Sequence, residues 1–187
     1  MLGTPNLSQP SLMDSSASNR LFIKGYEIMP LKVLGISDLQ VSKTPGDVLI
    51  TYSLGSCIGL TVYDPVAKVG GMVHFMLPLS KIAPEKAKAK PGMFADTGVP
   101  LLLMKVLELG GVKDRLIVKA AGGSELMDQN KVFNIGERNY LVLRKLLWKN
   151  NILIKSEDIG GNYSRTLRLE IDTGYTTIKT REGESEL

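Results

Sequence analysis

What most constrains this chain is its punctuation. Eight short segments rich in β-branched and other apolar residues follow one another, and each gives way within a few residues to Gly, Pro or Asp. Val33–Val41, Asp47–Tyr52, Ile58–Tyr63, Val69–Met76, Arg115–Ala120, Ile152–Ile159, Thr166–Ile171 and Tyr175–Thr180 therefore read as strands. Two stretches have helical spacing instead. Residues 97–109 carry Leu101, Leu102, Met104, Val106 and Leu109, with Asp96 or Thr97 as cap and Gly110-Gly111 as stop. Asn134-Ile135-Gly136-Glu137 has capping-box spacing and opens a helix through Trp148, whose Leu143, Leu146 and Leu147 face the core. Strands and helices do not strictly alternate, which predicts an α+β fold, a layered sandwich of mainly antiparallel sheet with packed helices.

Residues 1–20 are small and polar and predict a disordered tail; residues 21–187 are long enough for one domain with its own core. That first stretch lacks the apolar run of a signal peptide, and no stretch has the length of a membrane span, which predicts a soluble cytoplasmic protein. The net charge of +4 comes from scattered lysines and arginines and argues against a nucleic-acid footprint. Residues 80–95, with Lys81, Lys86, Lys88 and Lys90 between prolines, read as a long exposed loop.

The chain has one cysteine and one histidine, 17 positions apart across the breaker Asp64-Pro65. A thiol beside an imidazole is the minimum equipment for cysteine nucleophilic catalysis. With a four-residue turn Asp64–Ala67, Tyr63 faces Lys68 and Cys57 lies directly opposite His74, so both side chains share a face. Gly55 and Ser56 before the cysteine allow close backbone approach and can present amides to an oxyanion. A lone cysteine is also often just a small buried hydrophobe, so a binding protein stays open at this point. Other chemistries have less behind them. One His and one Cys make a zinc site improbable, and neither Gly122-Gly123 nor Gly160-Gly161 has phosphate-loop spacing; both read as turn glycines with positive φ. Glu157-Asp158 reads as a solvated acidic pair.

Thr51-x-x-Leu54-Gly55-Ser56-Cys57, Tyr63-Asp64-Pro65 and Gly70-Gly71-x-x-His74-x-x-Leu77-Pro78 resemble the chemoreceptor glutamine deamidase family, CheD. Phe94-x-Asp96, Lys119-x-x-Gly122-Gly123, Ile135-Gly136-x-x-Asn139 and Asp158-x-Gly160-Gly161 with Arg165 extend the resemblance over roughly residues 31–180. It implies an enzyme that converts selected glutamines in chemoreceptor cytoplasmic helices to glutamate, with Cys57 as nucleophile, His74 as acid and base, and Thr51 supporting the histidine. It implies a sandwich similar to cysteine-dependent deamidase toxins, no metal or organic cofactor, and a CheC-type phosphatase as partner. A non-catalytic adaptor binding receptor and phosphatase is the alternative. Ser53 departs from the usual glycine before Leu54, which is expected to narrow the approach to the thiol. Ala120-Ala121 replaces a more usual aromatic, and Ser124 stands where alanine is common.

Overall fold

A computed structural model of the chain describes residues 31–125 and 134–187, together with the backbone of 21–23 and 26–28. The tail expected over residues 1–20 lies outside the described residues. Twelve strands form among those described: β1 (Leu21–Ile23), β2 (Tyr26–Ile28), β3 (Leu31–Leu34), β4 (Leu39–Ser42), β5 (Val48–Leu54), β6 (Ile58–Asp64), β7 (Val69–Phe75), β8 (Ile117–Gly122), β9 (Ile154–Ile159), β10 (Arg165–Glu170), β11 (Thr176–Thr180) and β12 (Gly183–Glu186). The helices are α1 (Pro84–Ala89), α2 (Ala95–Glu108) and α3 (Ile135–Lys149).

β1 and β2 pair with each other, and the other ten strands build two five-stranded sheets. The outer sheet has the order β12-β11-β10-β5-β3 and the central sheet the order β4-β7-β6-β8-β9. Pairing is antiparallel except between β3 and β5 and between β8 and β9. The expected mainly antiparallel α+β architecture is what forms. Among the described residues no helix is long and apolar enough to cross a membrane.

Two apolar clusters hold three layers together. Ile58, Leu60, Val62, Val73 and Phe75 of the central sheet pack against Val99, Leu102 and Val106 of α2 and Leu143 and Leu147 of α3. On the other face of that sheet, Tyr63, Met72 and Ala121 meet Leu34, Leu49, Leu54, Leu167, Leu169 and Ile178 of the outer sheet. A sheet covered on both faces has no solvent side, which is why every residue of β6 and β7 is buried and neither strand alternates apolar with polar. Full burial of one such Leu or Val contributes about 1.5–3 kcal/mol, so the middle layer carries much of the stability.

Four expectations need correction. Val33–Val41 is two strands in two sheets, because Gly35–Asp38 turns between them with Ser37 left-handed (φ 73°) and the Asp38 carboxylate receiving the Gly35 N–H at 2.8 Å. Residues 80–95 are not a bare loop: α1 forms there between two short 3-10 turns and buries Ala87 while its lysines stay exposed. Helix α2 starts at Ala95, and neither expected cap caps it. Asp96 instead accepts the Ser80 backbone N–H at 2.8 Å, Thr97 donates to the Pro91 carbonyl at 2.6 Å, and Met104 faces solvent. Asn134 precedes α3 in the left-handed region (φ 44°), not in the extended backbone a capping box requires.

Candidate active site

The histidine comes first, because the sheet dictates it. Strand parity turns Gly70, Met72 and His74 of β7 toward the outer sheet, and His74 is 1% exposed there. Its backbone is held by the turn before β4: the His74 N–H donates to the Asp38 carbonyl (3.0 Å), and the His74 carbonyl receives the Ser37 N–H (2.8 Å). Across the interlayer, Thr51 of β5 places Oγ1 2.7 Å from His74 Nδ1. The same hydroxyl donates to the Leu34 carbonyl at 2.9 Å. A hydroxyl has one hydrogen and a carbonyl can only accept, so the ring must supply the hydrogen of the Thr51–His74 bond. Nδ1 therefore carries the proton, and Nε2 is left with a bare lone pair. Nε2 is buried and has no partner among the described residues. Burial pulls the imidazole pKa down to about 4, with the Asp38 charge opposing the shift. The ring rests neutral, with its basic nitrogen free.

The cysteine sits outside the ladder. Cys57 ends the bend before β6, half-buried, and its side chain packs against the apolar cluster between the two sheets. The expected direct opposition to His74 is not what forms. Asp64 pairs with Val69 and Gly59 faces His74. The turn is Pro65–Lys68, with Lys68 left-handed at φ 48°. Asp64 stays in the strand because its Oδ1 receives the Val66 and Ala67 N–H groups at 2.8 and 3.0 Å and so caps the turn from within. The register moves by two positions, which keeps the face and makes the cysteine a diagonal neighbour of the histidine's rung. No hydrogen bond joins the thiol to Nε2. Burial pushes the thiol pKa up, offset in part by the residue's own backbone N–H beside the sulfur. Thiol and imidazole thus both favour their neutral forms at rest.

The loop around Cys57 is pinned through three successive carbonyls. Gly55 receives the Ser124 N–H at 2.8 Å, Ser56 receives Nδ2 of Asn139 at 3.0 Å, and Cys57 receives the Gly123 N–H at 2.8 Å. Close packing makes these bonds available. A Cβ on Gly122 (φ 118°) would stand 2.2 Å from the Cys57 carbonyl oxygen, and one on Gly136 would stand 2.4 Å from the Gly123 oxygen. The glycines at 122, 123, 160 and 161 all have positive φ, as their turn reading expects. Ser124 is held in turn by Arg165. That buried guanidinium donates to Ser124 Oγ (2.6 Å), Asp158 Oδ1 (2.6 Å) and the Gly160 carbonyl (2.7 Å). Glu157-Asp158 is therefore not a merely solvated pair: Asp158 neutralises Arg165, and Glu157 accepts from Tyr140 at 2.5 Å. Ser53 is exposed with φ 56°, so a glycine there relieves backbone strain.

Sequence reasoning assigned no role to Asn139. Its signal was a residue of poor helix propensity in mid-helix, on the face one turn from Gly136 that packs inward.

Thr51, His74 and Cys57 thus share one interlayer, with a basic nitrogen free, a neutral thiol nearby and backbone amides around it. Among known proteins, the CheD family profile, described as CheD chemotactic sensory transduction, matches residues 76–180. The chain is 51% identical over 151 residues to "Probable chemoreceptor glutamine deamidase CheD 1" of Syntrophus aciditrophicus, covering 81% of this chain and 94% of that protein. It is 50% identical over 155 residues to "Probable chemoreceptor glutamine deamidase CheD" of Solibacter usitatus, covering 83% and 92%. A relative in Anaeromyxobacter dehalogenans, "Probable chemoreceptor glutamine deamidase CheD 2", is 45% identical over 152 residues, covering 81% and 96%.

Proposed function

The chain belongs to the CheD family, and from that premise we propose that it hydrolyses the side-chain amides of selected glutamines in chemoreceptor cytoplasmic helices, giving glutamate and ammonia. Cys57 is the nucleophile, His74 the general base and acid, and Thr51 the residue that orients the imidazole. One observation carries the assignment of roles: Thr51 Oγ1 lies 2.7 Å from Nδ1 while Nε2 is buried and has no partner among the described residues. That is the tautomer a base must have to accept a thiol proton.

The reaction starts from two neutral groups. As a glutamine Cδ approaches, Nε2 takes the thiol proton and sulfur bonds to the carbonyl carbon. The oxyanion forms beside the Ser56 and Cys57 backbone N–H groups, which donate to no carbonyl among the described residues. The imidazolium returns its proton to the leaving nitrogen, the C–N bond breaks, and ammonia departs from a thioester. Water then loses a proton to Nε2 and attacks the thioester. The C–S bond breaks to release glutamate, and the thiol regains its proton. No metal or organic cofactor enters these steps. The proposal puts the enzyme in the cytoplasm with its receptor substrate and takes a CheC-type phosphatase as partner, with a likeness to cysteine-dependent deamidase toxins; family resemblance is what supports these parts of the reading.

The test is ammonia release from a receptor cytoplasmic fragment, with mass spectrometry locating the amide-to-acid exchange. Cys57→Ala and His74→Asn are each expected to abolish both signals while circular dichroism stays that of the wild type. Turnover by folded Cys57→Ala removes the mechanism. Receptor binding by the wild type without any mass change replaces the enzyme with the adaptor.

A further inference from the structure

The β6–β7 ladder closes its last rung at Ile58 and Phe75; beyond it, the Ser56 carbonyl lies two residues outward of Ile58 and the Met76 carbonyl one residue outward of Phe75. The Asn139 amide nitrogen stands between them, 3.0 Å from each oxygen. Asn139 is completely buried, and its position is set by the contact of Gly136 with Gly123 one helical turn earlier. Both N–H hydrogens are spent on carbonyls, which fixes the amide's orientation, and Oδ1 has no partner among the described residues. A buried orphan oxygen costs about 1–3 kcal/mol, and it accompanies two bonds that satisfy the Ser56 and Met76 carbonyls.

We infer that Asn139 is a positioning residue for the nucleophile: its amide wedges the hairpin open at the ladder's end and fixes the Ser56–Cys57 peptide. A trans peptide is planar, so holding the Ser56 oxygen turns the Cys57 N–H the opposite way, away from α3. That N–H lies beside the cysteine sulfur, where an oxyanion would form on the attacked carbon. The bond to Met76 ties the same amide to the chain two residues beyond His74. One side chain thus sets the spacing between the nucleophile's loop and the base's strand. The inference goes beyond the proposed deamidation but rests on it.

The experiment compares full-length wild type with N139A and N139D for ammonia release from a receptor cytoplasmic fragment, with melting temperatures taken alongside. N139A is expected to lose at least tenfold in kcat at unchanged KM, because misplacement of reacting groups by about an ångström costs that much or more. N139D keeps the volume, so it carries the test even if the alanine cavity unfolds the chain. As a carboxylate it cannot donate, but protonated it can donate once. Its kcat relative to wild type is therefore expected to rise as pH falls, while the N139A ratio stays flat. A role confined to folding would move neither ratio once both proteins are assayed well below their melting temperatures. Folded N139D with wild-type kcat and a flat ratio overturns the positioning role and leaves the deamidase reading standing. Absence of wild-type ammonia release, with Cys57→Ala indistinguishable from it, overturns the deamidase reading itself and this inference with it.

Discussion

His74 lies within β7, where rungs to β6 and the Ser37–Asp38 turn hold its backbone, whereas Cys57 lies outside any strand and is held by Gly123, Ser124 and Asn139, all distant in sequence. The histidine's placement is thus a product of sheet register, backed by neighbouring rungs that each restrain it. The cysteine's placement depends on a few long-range bonds with no such backing. Changes near the histidine should be shared among many contacts, while changes at the loop's anchors should act directly on the thiol.

The largest effect expected from this contrast comes from one methyl group placed in each region. Gly122→Ala combines a left-handed φ of 118° with a Cβ 2.2 Å from the Cys57 carbonyl oxygen. Urea unfolding should give a loss of about 3 kcal/mol or more. Gly59→Ala, facing His74, meets only the methyl ends of Leu54 and Leu167, at 2.8 and 2.9 Å. That substitution should cost only about 1–2 kcal/mol. Equal losses would break the comparison.

Titration separates the two regions by sign. His74 is held at about 4 against an ordinary 6.5, so the unfolded chain binds its proton first. The stability this neutral ring confers is complete above 6.5 and is lost as pH falls toward 4, a decline of about 3 kcal/mol. Below that window Asp64 takes over. Burial alone would raise its carboxyl, but Arg115 and the N–H groups of Ala67, Val112 and Val66 hold it far below the usual carboxylate range. Cys57 acts at the other end: its raised pKa means the unfolded chain loses the thiol proton first, so stability falls as pH climbs past the ordinary thiol value. Chemical denaturation across pH should find the acid limb flattened above pH 4 in His74→Asn, and the alkaline limb flattened in Cys57→Ala.

Thr51→Val sharpens the picture on the base's side. It leaves the Leu34 carbonyl and His74 Nδ1 without their shared partner, at a cost of about 1–3 kcal/mol. It also frees the imidazole to adopt the other tautomer, so kcat should fall about tenfold or more, while Thr51→Ser keeps most of it. Comparable kcat for the two variants would remove tautomer control. The smallest effect is expected at Ser53, whose φ of 56° strains an L-residue. Ser53→Gly should raise stability by about 1 kcal/mol, a melting shift of about 2–4 °C in a chain of this size.

The same contrast explains what could be read in advance. Strand existence was legible around His74 because Asp64-Pro65 and Gly70-Gly71 punctuate it. The register was off by two because Asp64 looks like a turn residue but caps the turn from its place in the strand. Parity survived the error, and with it the shared face. The split of Val33–Val41 was missed although Gly35 and Asp38 carried the turn signal, because the valines on either side suggested continuity. What no local pattern can announce is the anchoring of Gly55–Cys57. Arg165 reaches it through Ser124, and Asn139 reaches it from a helix more than 80 residues on. Only assembled layers bring those partners into range.

A sulfur that burial keeps protonated is also a poor target for peroxide, which attacks thiolates. For a chain whose lone cysteine has no neighbouring thiol with which to form a rescuing disulfide, that reluctance doubles as protection against oxidative damage.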